Sequence, residues 1–209
     1  LRLLFIDDIP TTARAENNLS PKEAQSLILP AAVEAEMPTL GMHYYRFAAK
    51  KGERIAFEVV AQRMNSRADP IVRIQNTAGR EIAYCDDTPG LGADPRFAHV
   101  FKADGEYLAE VRDANYDGGP ECRYRLRIGD FPTATVPFPL GGKRGSITAF
   151  AFEGPDGDRL DPLKVKLDTT ASLQLVALKS PGGRSSSFAS ILVGDTEDFV
   201  TSQPNHSPA

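Results

Sequence analysis

Between residues 31 and 129 the hydrophobic positions of this chain recur every second residue in short bursts, each closed by a turn signal. The clearest burst is 121–129, where Tyr124, Leu126 and Ile128 alternate with Arg123, Arg125 and Arg127. A period of two is the signature of a strand with one face buried. The preceding burst, 106–113, sets Tyr107, Ala109 and Val111 against Glu106, Leu108 and Glu110. An antiparallel hairpin between the two, turning through Asp113, Asn115 and Asp117, would bury the apolar sets together and place Glu110 opposite an arginine. Six further strands read at 31–36, 43–49, 53–61, 71–76, 81–85 and 97–102. Eight short strands without a helical stretch of ten residues predict an all-β fold, an antiparallel, jelly-roll-like β-sandwich over residues 25–130.

The pattern changes on either side. Residues 9–25 are polar and rich in Thr, Asn and Pro, which suits a linker. Within them Ser20 and Glu23 are spaced as a capping box, predicting one helical turn from Pro21 to Leu27. Beyond Asp130-Phe131-Pro132 no tyrosine or cysteine occurs. Strands near 134–139, 145–153, 163–168, 171–178 and 188–194 are separated by Gly-rich turns and predict a smaller Ig-like β-sandwich over 131–200. A weak repeat spans the chain. Ile6-Asp7-Asp8 and Asn18-Leu19-Ser20-Pro21 return, at one offset of 187 residues, as Val193-Gly194-Asp195 and Asn205-His206-Ser207-Pro208. A period that long means tandem modules. Residues 1–24 are then expected to be the end strand of a preceding module plus its linker, and 201–209 the linker to a next one.

Composition adds little but excludes much. With 209 residues, 41% of them hydrophobic and 25% charged, the chain can hold one large β domain or two small ones. A net charge of −4 gives no basic face for nucleic acid. No apolar run approaches the roughly 18 residues of a membrane helix, and Leu1–Phe5 lacks the basic start and cleavage site of a signal peptide. The chain opens on what reads as mid-strand, so it is expected to be part of a longer protein. Cys85 ends one strand and Cys122 begins another. If those ends share a pole, a disulfide is sterically reasonable and would suit an oxidising compartment; the alternative is two separate buried thiols.

Several anchors occur in a telling order: Tyr44-Tyr45-Arg46-Phe47 and Lys51-Gly52-Glu53, then Ala68-Asp69-Pro70 and Thr77-Ala78-Gly79, then Asp86-Asp87, Gly105-Glu106-Tyr107 and the strand through Tyr124 and Leu126. Over about 20–130 this series resembles the bacterial pre-peptidase C-terminal domain, a secreted β-sandwich accompanying enzymes and large extracellular proteins. With the Ig-like region behind it, the arrangement is similar to long secreted proteins of planctomycete-type bacteria. The resemblance implies a non-catalytic accessory module, located outside the cell, in the periplasm or on the cell surface. Its partners would be other domains of the same protein, an extracellular polysaccharide or a fibrous protein. Related collagen-binding domains of clostridial collagenases bind calcium through a Glu-x-Glu-Pro-Asn-Asp linker. Here that stretch reads Arg14-Ala15-Glu16-Asn17-Asn18-Leu19, with only Glu16 and Asn18 matching as oxygen donors. Calcium takes six to eight oxygen ligands, so that site is dismantled.

A different calcium site could draw on Asp86, Asp87, Asp94, Asp113 and Asp117, all at strand ends. The simpler reading is that these residues stabilise tight turns. Asp156-Gly157-Asp158 and Asp161 form an ordinary turn without the distal glutamate of an EF-hand. Without tryptophan, the best stacking residue for a sugar is Tyr116, outside the strand alternation, whereas Tyr44, Tyr84, Tyr107 and Tyr124 read as core. Arg123 and Arg125 could meet anionic glycans, or pair with cross-strand glutamates on a solvated face. Nothing singles out a catalyst. The three histidines (His43, His99, His206) are scattered, and no nucleophile elbow or zinc pair occurs. The expectation is a binding module, with a structural spacer that orients other domains as the alternative and a hydrolase as the remaining one.

Overall fold

In the computed structural model, residues 6–153, 160–179 and 185–196 are described. Residues 1–5, Asp156-Gly157-Asp158 with its expected turn, His206 and the expected linker 201–209 lie outside them.

All eight alternating bursts form strands: β3 (Ala31–Glu36), β4 (His43–Ala49), β5 (Arg54–Val60), β6 (Pro70–Asn76), β7 (Glu81–Cys85), β8 (Arg96–Val100), β9 (Gly105–Asp113) and β10 (Arg123–Gly129). Two short strands precede them, β1 (Thr11–Ala13) and β2 (Gln25–Ser26). The ten strands make two five-stranded sheets, ordered β1-β3-β10-β5-β8 and β2-β4-β9-β6-β7. The inward residues of the first sheet, among them Val33, Phe57, Val59, Leu126 and Ile128, share one core with Tyr45, Phe47, Val72, Ile74, Tyr107 and Val111 of the second. Aromatic contacts tie the layers together, with Phe47 5.5 Å from Phe57 between ring centroids. This is a β-sandwich.

Three expectations change. First, β9 and β10 do not form a hairpin: β9 lies between β4 and β6, β10 between β3 and β5. Residues 114–122 cross from one sheet to the other. Alternation reports which face of a strand is buried, not which strand lies beside it. Glu110 does meet an arginine, but it is Arg73 of β6, 2.6 Å away. Second, the segment read as a linker is built into the sandwich. Thr11–Ala13 pairs with β3, Gln25–Ser26 with β4, both in parallel. Ile9 and Asn18 are buried. Third, the turn at Pro21–Glu23 is 3-10, and no capping box closes it, because the Ser20 hydroxyl donates to the Glu23 carboxylate rather than accepting from the backbone.

The second region holds β11 (Val136–Phe138), β12 (Gly141–Lys143), β13 (Ile147–Glu153), β14 (Leu163–Lys166), β15 (Leu173–Lys179) and β16 (Ser185–Gly194). They form two three-stranded sheets, β11-β13-β14 and β12-β16-β15. Phe150, Phe152, Leu167, Ile191 and Val193 make a core of their own. Strand β12 falls in what the sequence presents as a turn. Gly141 and Gly142 fit there because β16 and Leu167 approach so closely: a Cβ on Gly141 would lie 2.5 Å from the Leu192 carbonyl oxygen.

Candidate functional site

The two outer faces of the sandwich carry different chemistry. On the first sheet the arginine stripe points outward and is fully engaged. Arg123 bonds Glu36 at 3.0 Å, and Arg125 bonds Glu34 and Asp7, each at 2.9 Å. Arg127 bridges Asp7 and Glu58. Cross-strand register causes this: β10 sets Arg123 opposite Glu36, Arg125 opposite Glu34 and Arg127 opposite Glu58. Arg123 and Arg125 thus make the cross-strand pairs with glutamate that one of their two readings expects. Beside them lies an open depression of about 830 Å³, bordered by Glu34, Glu36, Val60, Met64, Arg67 and Arg123.

The second sheet presents a row across four strands. Tyr84 of β7 stands beside Arg73 of β6, which stands beside Glu110 of β9, which stands beside Tyr44 of β4. The Arg73 guanidinium donates to both carboxylate oxygens of Glu110, and the Gln75 amide donates to the same carboxylate. Burial, followed by the Glu110 carboxylate, pushes the Tyr44 phenol up to about 12. Tyr84 was expected in the core but is 48% exposed, because β7 is an edge strand and alternation turns this residue outward. Tyr116, 37% exposed, sits in the crossover with a left-handed φ of 60° and lies under the Arg112 guanidinium at 4.9 Å. The carbonyl of Tyr116 accepts from Leu40 N–H, which fixes the crossover against the 37–40 turn.

At the end of this row three carboxylates gather. Asp69, Asp86 and Asp87 each place an oxygen within 4.8 Å of the others. Tyr84 donates its hydroxyl to Asp86 at 3.2 Å. Burial first, then the charges of Asp86, Asp113 and Asp87, raise the Asp69 carboxyl above its ordinary value. Asp69 was missing from the candidate set. The Asp-Pro step that enters β6 is the sequence signal that could have found it.

The other candidates separate. Asp113 is buried and acts as a turn residue: one oxygen accepts from Asn115 and Asp117 N–H, the other from Asp69 N–H. Asp117 contributes its backbone to that turn. Asp94, 0% exposed, accepts from Ala61, Gln62 and Arg63 N–H and from the Arg63 guanidinium, so it closes the 3-10 turn at Gln62–Met64. Cys85 and Cys122 are not bridged: the Cys85 thiol faces Asp87 and Thr88, while Cys122 is packed in the sandwich core. Burial is the first cause raising both thiols. His43 is buried at the start of β4, with Nδ1 2.7 Å from the Tyr124 hydroxyl, itself 2.6 Å from that of Tyr45. Burial, with Arg14 adding to it, lowers His43 to about 4.

No family model matches the sequence, and neither does any curated protein. Among solved structures, the chain is similar to the pre-peptidase C-terminal domain of a collagenase from Bacillus anthracis, at 16% identity and a TM-score of 0.41, over 51% of this chain and 94% of that one. It is also similar to PliG, a periplasmic inhibitor of g-type lysozyme from Aeromonas hydrophila, at 16% identity and 0.36, over 59% and 98%. A third likeness is to Clostridium perfringens ZmpB, in a structure of its M60 catalytic domain with two CBM51 domains. There the identity is 13% and the TM-score 0.32, over 78% of this chain and 18% of that one.

Proposed function

We propose that this chain is a non-catalytic accessory module of a larger extracellular or periplasmic protein, contacting a polysaccharide or fibrous protein through the outer face of β2-β4-β9-β6-β7. The observation that carries this reading is the pairing of two exposed tyrosines, Tyr84 and Tyr116, with a carboxylate trio. Aromatic faces stack on apolar patches of a polymer while carboxylates and guanidinium groups hydrogen-bond its polar groups. Calcium belongs to the same proposal, with Asp69, Asp86 and Asp87 as protein ligands and water completing the shell. The paired arginines on the opposite sheet support the spacer reading alongside it, since Asp7, Glu34, Glu36 and Glu58 of the chain's own segments hold them.

The test is co-sedimentation of the full chain with a panel of insoluble polysaccharides and fibrous proteins, comparing wild type with Tyr84→Ala and Tyr116→Ala. Each substitution should weaken binding to a retained polymer roughly tenfold, about 1.4 kcal/mol per ring. Retention unchanged by both substitutions would sink this face as the contact, and no retention by any polymer would leave the spacer reading standing.

A further inference from the structure

Separate domains joined by a short connection ordinarily move relative to one another. The connection here has an unusual setting. Phe131, Pro132, Thr133 and Ala134 are all buried, where a flexible linker would be solvated. Phe131 lies on the outer face of the first sheet, packed with Ile9 over three small residues, Ala32, Ala56 and Ala98. Those alanines leave the sheet surface low enough to seat one aromatic ring. The Arg127 guanidinium closes over that ring at 4.4 Å.

Around this seat runs a continuous set of buried ion pairs. Asp7, on the entering segment, holds Arg125 and Arg127. Arg127 reaches Glu58, and Glu58 also binds Arg63 and Arg96. The same arginines reach the second region: Arg96 donates to the Ala134 carbonyl, and Arg63 lies 5.6 Å from the Phe188 ring of β16. Arg54 donates to the Phe131 carbonyl and the Thr133 hydroxyl. One sheet face therefore grips both the segment that enters the sandwich and the segment that leaves it. A buried ion network has few alternative arrangements, because moving one member strands a charge away from water.

We infer that this network is a mechanical joint: the entering segment Asp7–Ala13, the sandwich and the second pair of sheets turn as one rigid body. This deepens the spacer reading and is independent of polymer binding, which uses the opposite sheet. The joint fixes the Tyr84–Tyr116 face in a set direction relative to the second pair of sheets.

Amide ¹⁵N relaxation on the full chain tests this, since it reads the tumbling of each part separately. Wild type should give one rotational correlation time for amides of β3–β10 and of β12–β16, with ordered amides from Asp7 to Ala13. Asp7→Asn should loosen residues 7–13 and leave the sandwich spectrum in place. Phe131→Ala combined with Glu58→Gln should give the second pair of sheets a shorter correlation time than the sandwich. Two correlation times in wild type would overturn the joint, as would the double variant, still folded, keeping one. Should the double variant not fold, wild type and Asp7→Asn decide alone: entering-segment amides equally ordered with and without the Asp7 carboxylate would also overturn it. Polymer co-sedimentation of Asp7→Asn should match wild type, so failure of the joint and failure of the binding face are told apart.

Discussion

At the scale of single residues, the chain shows how burial converts ordinary side chains into special ones. His43 is 2% exposed and its Nδ1 meets the Tyr124 hydroxyl, so burial disfavours the charged form and its value falls to about 4 from 6.5. An unfolded chain takes up a proton on this ring below pH 6.5, whereas the folded chain does so only near pH 4. Stability therefore should fall as pH drops between those values, by up to about 1.4 kcal/mol per pH unit and about 3 kcal/mol in all. Urea melts of wild type and His43→Asn at pH 7, 5.5 and 4.5 isolate this ring from the carboxylates, which titrate in both. The wild-type loss should be the steeper, and parallel losses would refute the assignment. Asp94 offers the opposite lesson. Its carboxylate looked like a metal ligand at a strand end, yet four N–H donors already fill it.

At the scale of elements, strand identity was legible and strand partnership was not. The eight bursts predicted from alternation all became strands because each has one face in the common core. The β9–β10 connection went the other way, since crossing between sheets or folding back leaves the same residues facing inward. What holds the crossover is contact with the 37–40 turn. Gly118 sits so close to it that a Cβ would lie 2.4 Å from Thr39 N and 2.6 Å from the Met37 carbonyl oxygen, both backbone atoms that cannot swing aside. Gly118→Ala should cost about 1–3 kcal/mol in chemical denaturation by forcing these segments apart. Because Tyr116 bonds the same turn, the substitution should also weaken polymer retention. A variant as stable as wild type would mean that the crossover is not held by this contact.

At the scale of the whole molecule, the two outer faces of the sandwich differ: one is tied to the chain's own segments, and the other carries exposed tyrosines and carboxylates. The arginine stripe of β10 was a candidate for anionic ligands, but Asp7, Glu34, Glu36 and Glu58 occupy it from inside the molecule. The acidic trio lies on the other sheet. If it takes calcium, millimolar calcium should raise the melting temperature of wild type by mass action, and Asp86→Asn with Asp87→Asn should abolish the rise. An unchanged wild-type melting temperature in calcium would discard the metal. Mixed acidic and aromatic character would still recommend the face for a polymer.

The sequence by itself determined that the chain is all-β, where the strands of the sandwich run and, on strands such as β9 and β10, which side meets the core, because alternation records burial residue by residue. It also placed Tyr116 outside the strands and Asp86 and Asp87 at a strand end, since turns and strand ends are local features. Only the tertiary structure decided that Tyr84 is exposed on an edge strand, that Asp69 joins Asp86 and Asp87, that the cysteines stay apart and that residues 9–25 are part of the sandwich. Each of these depends on which segments lie side by side across long stretches of chain. Pairing of that kind is set by the collective packing of two sheets, and no local period of hydrophobic and polar residues encodes it.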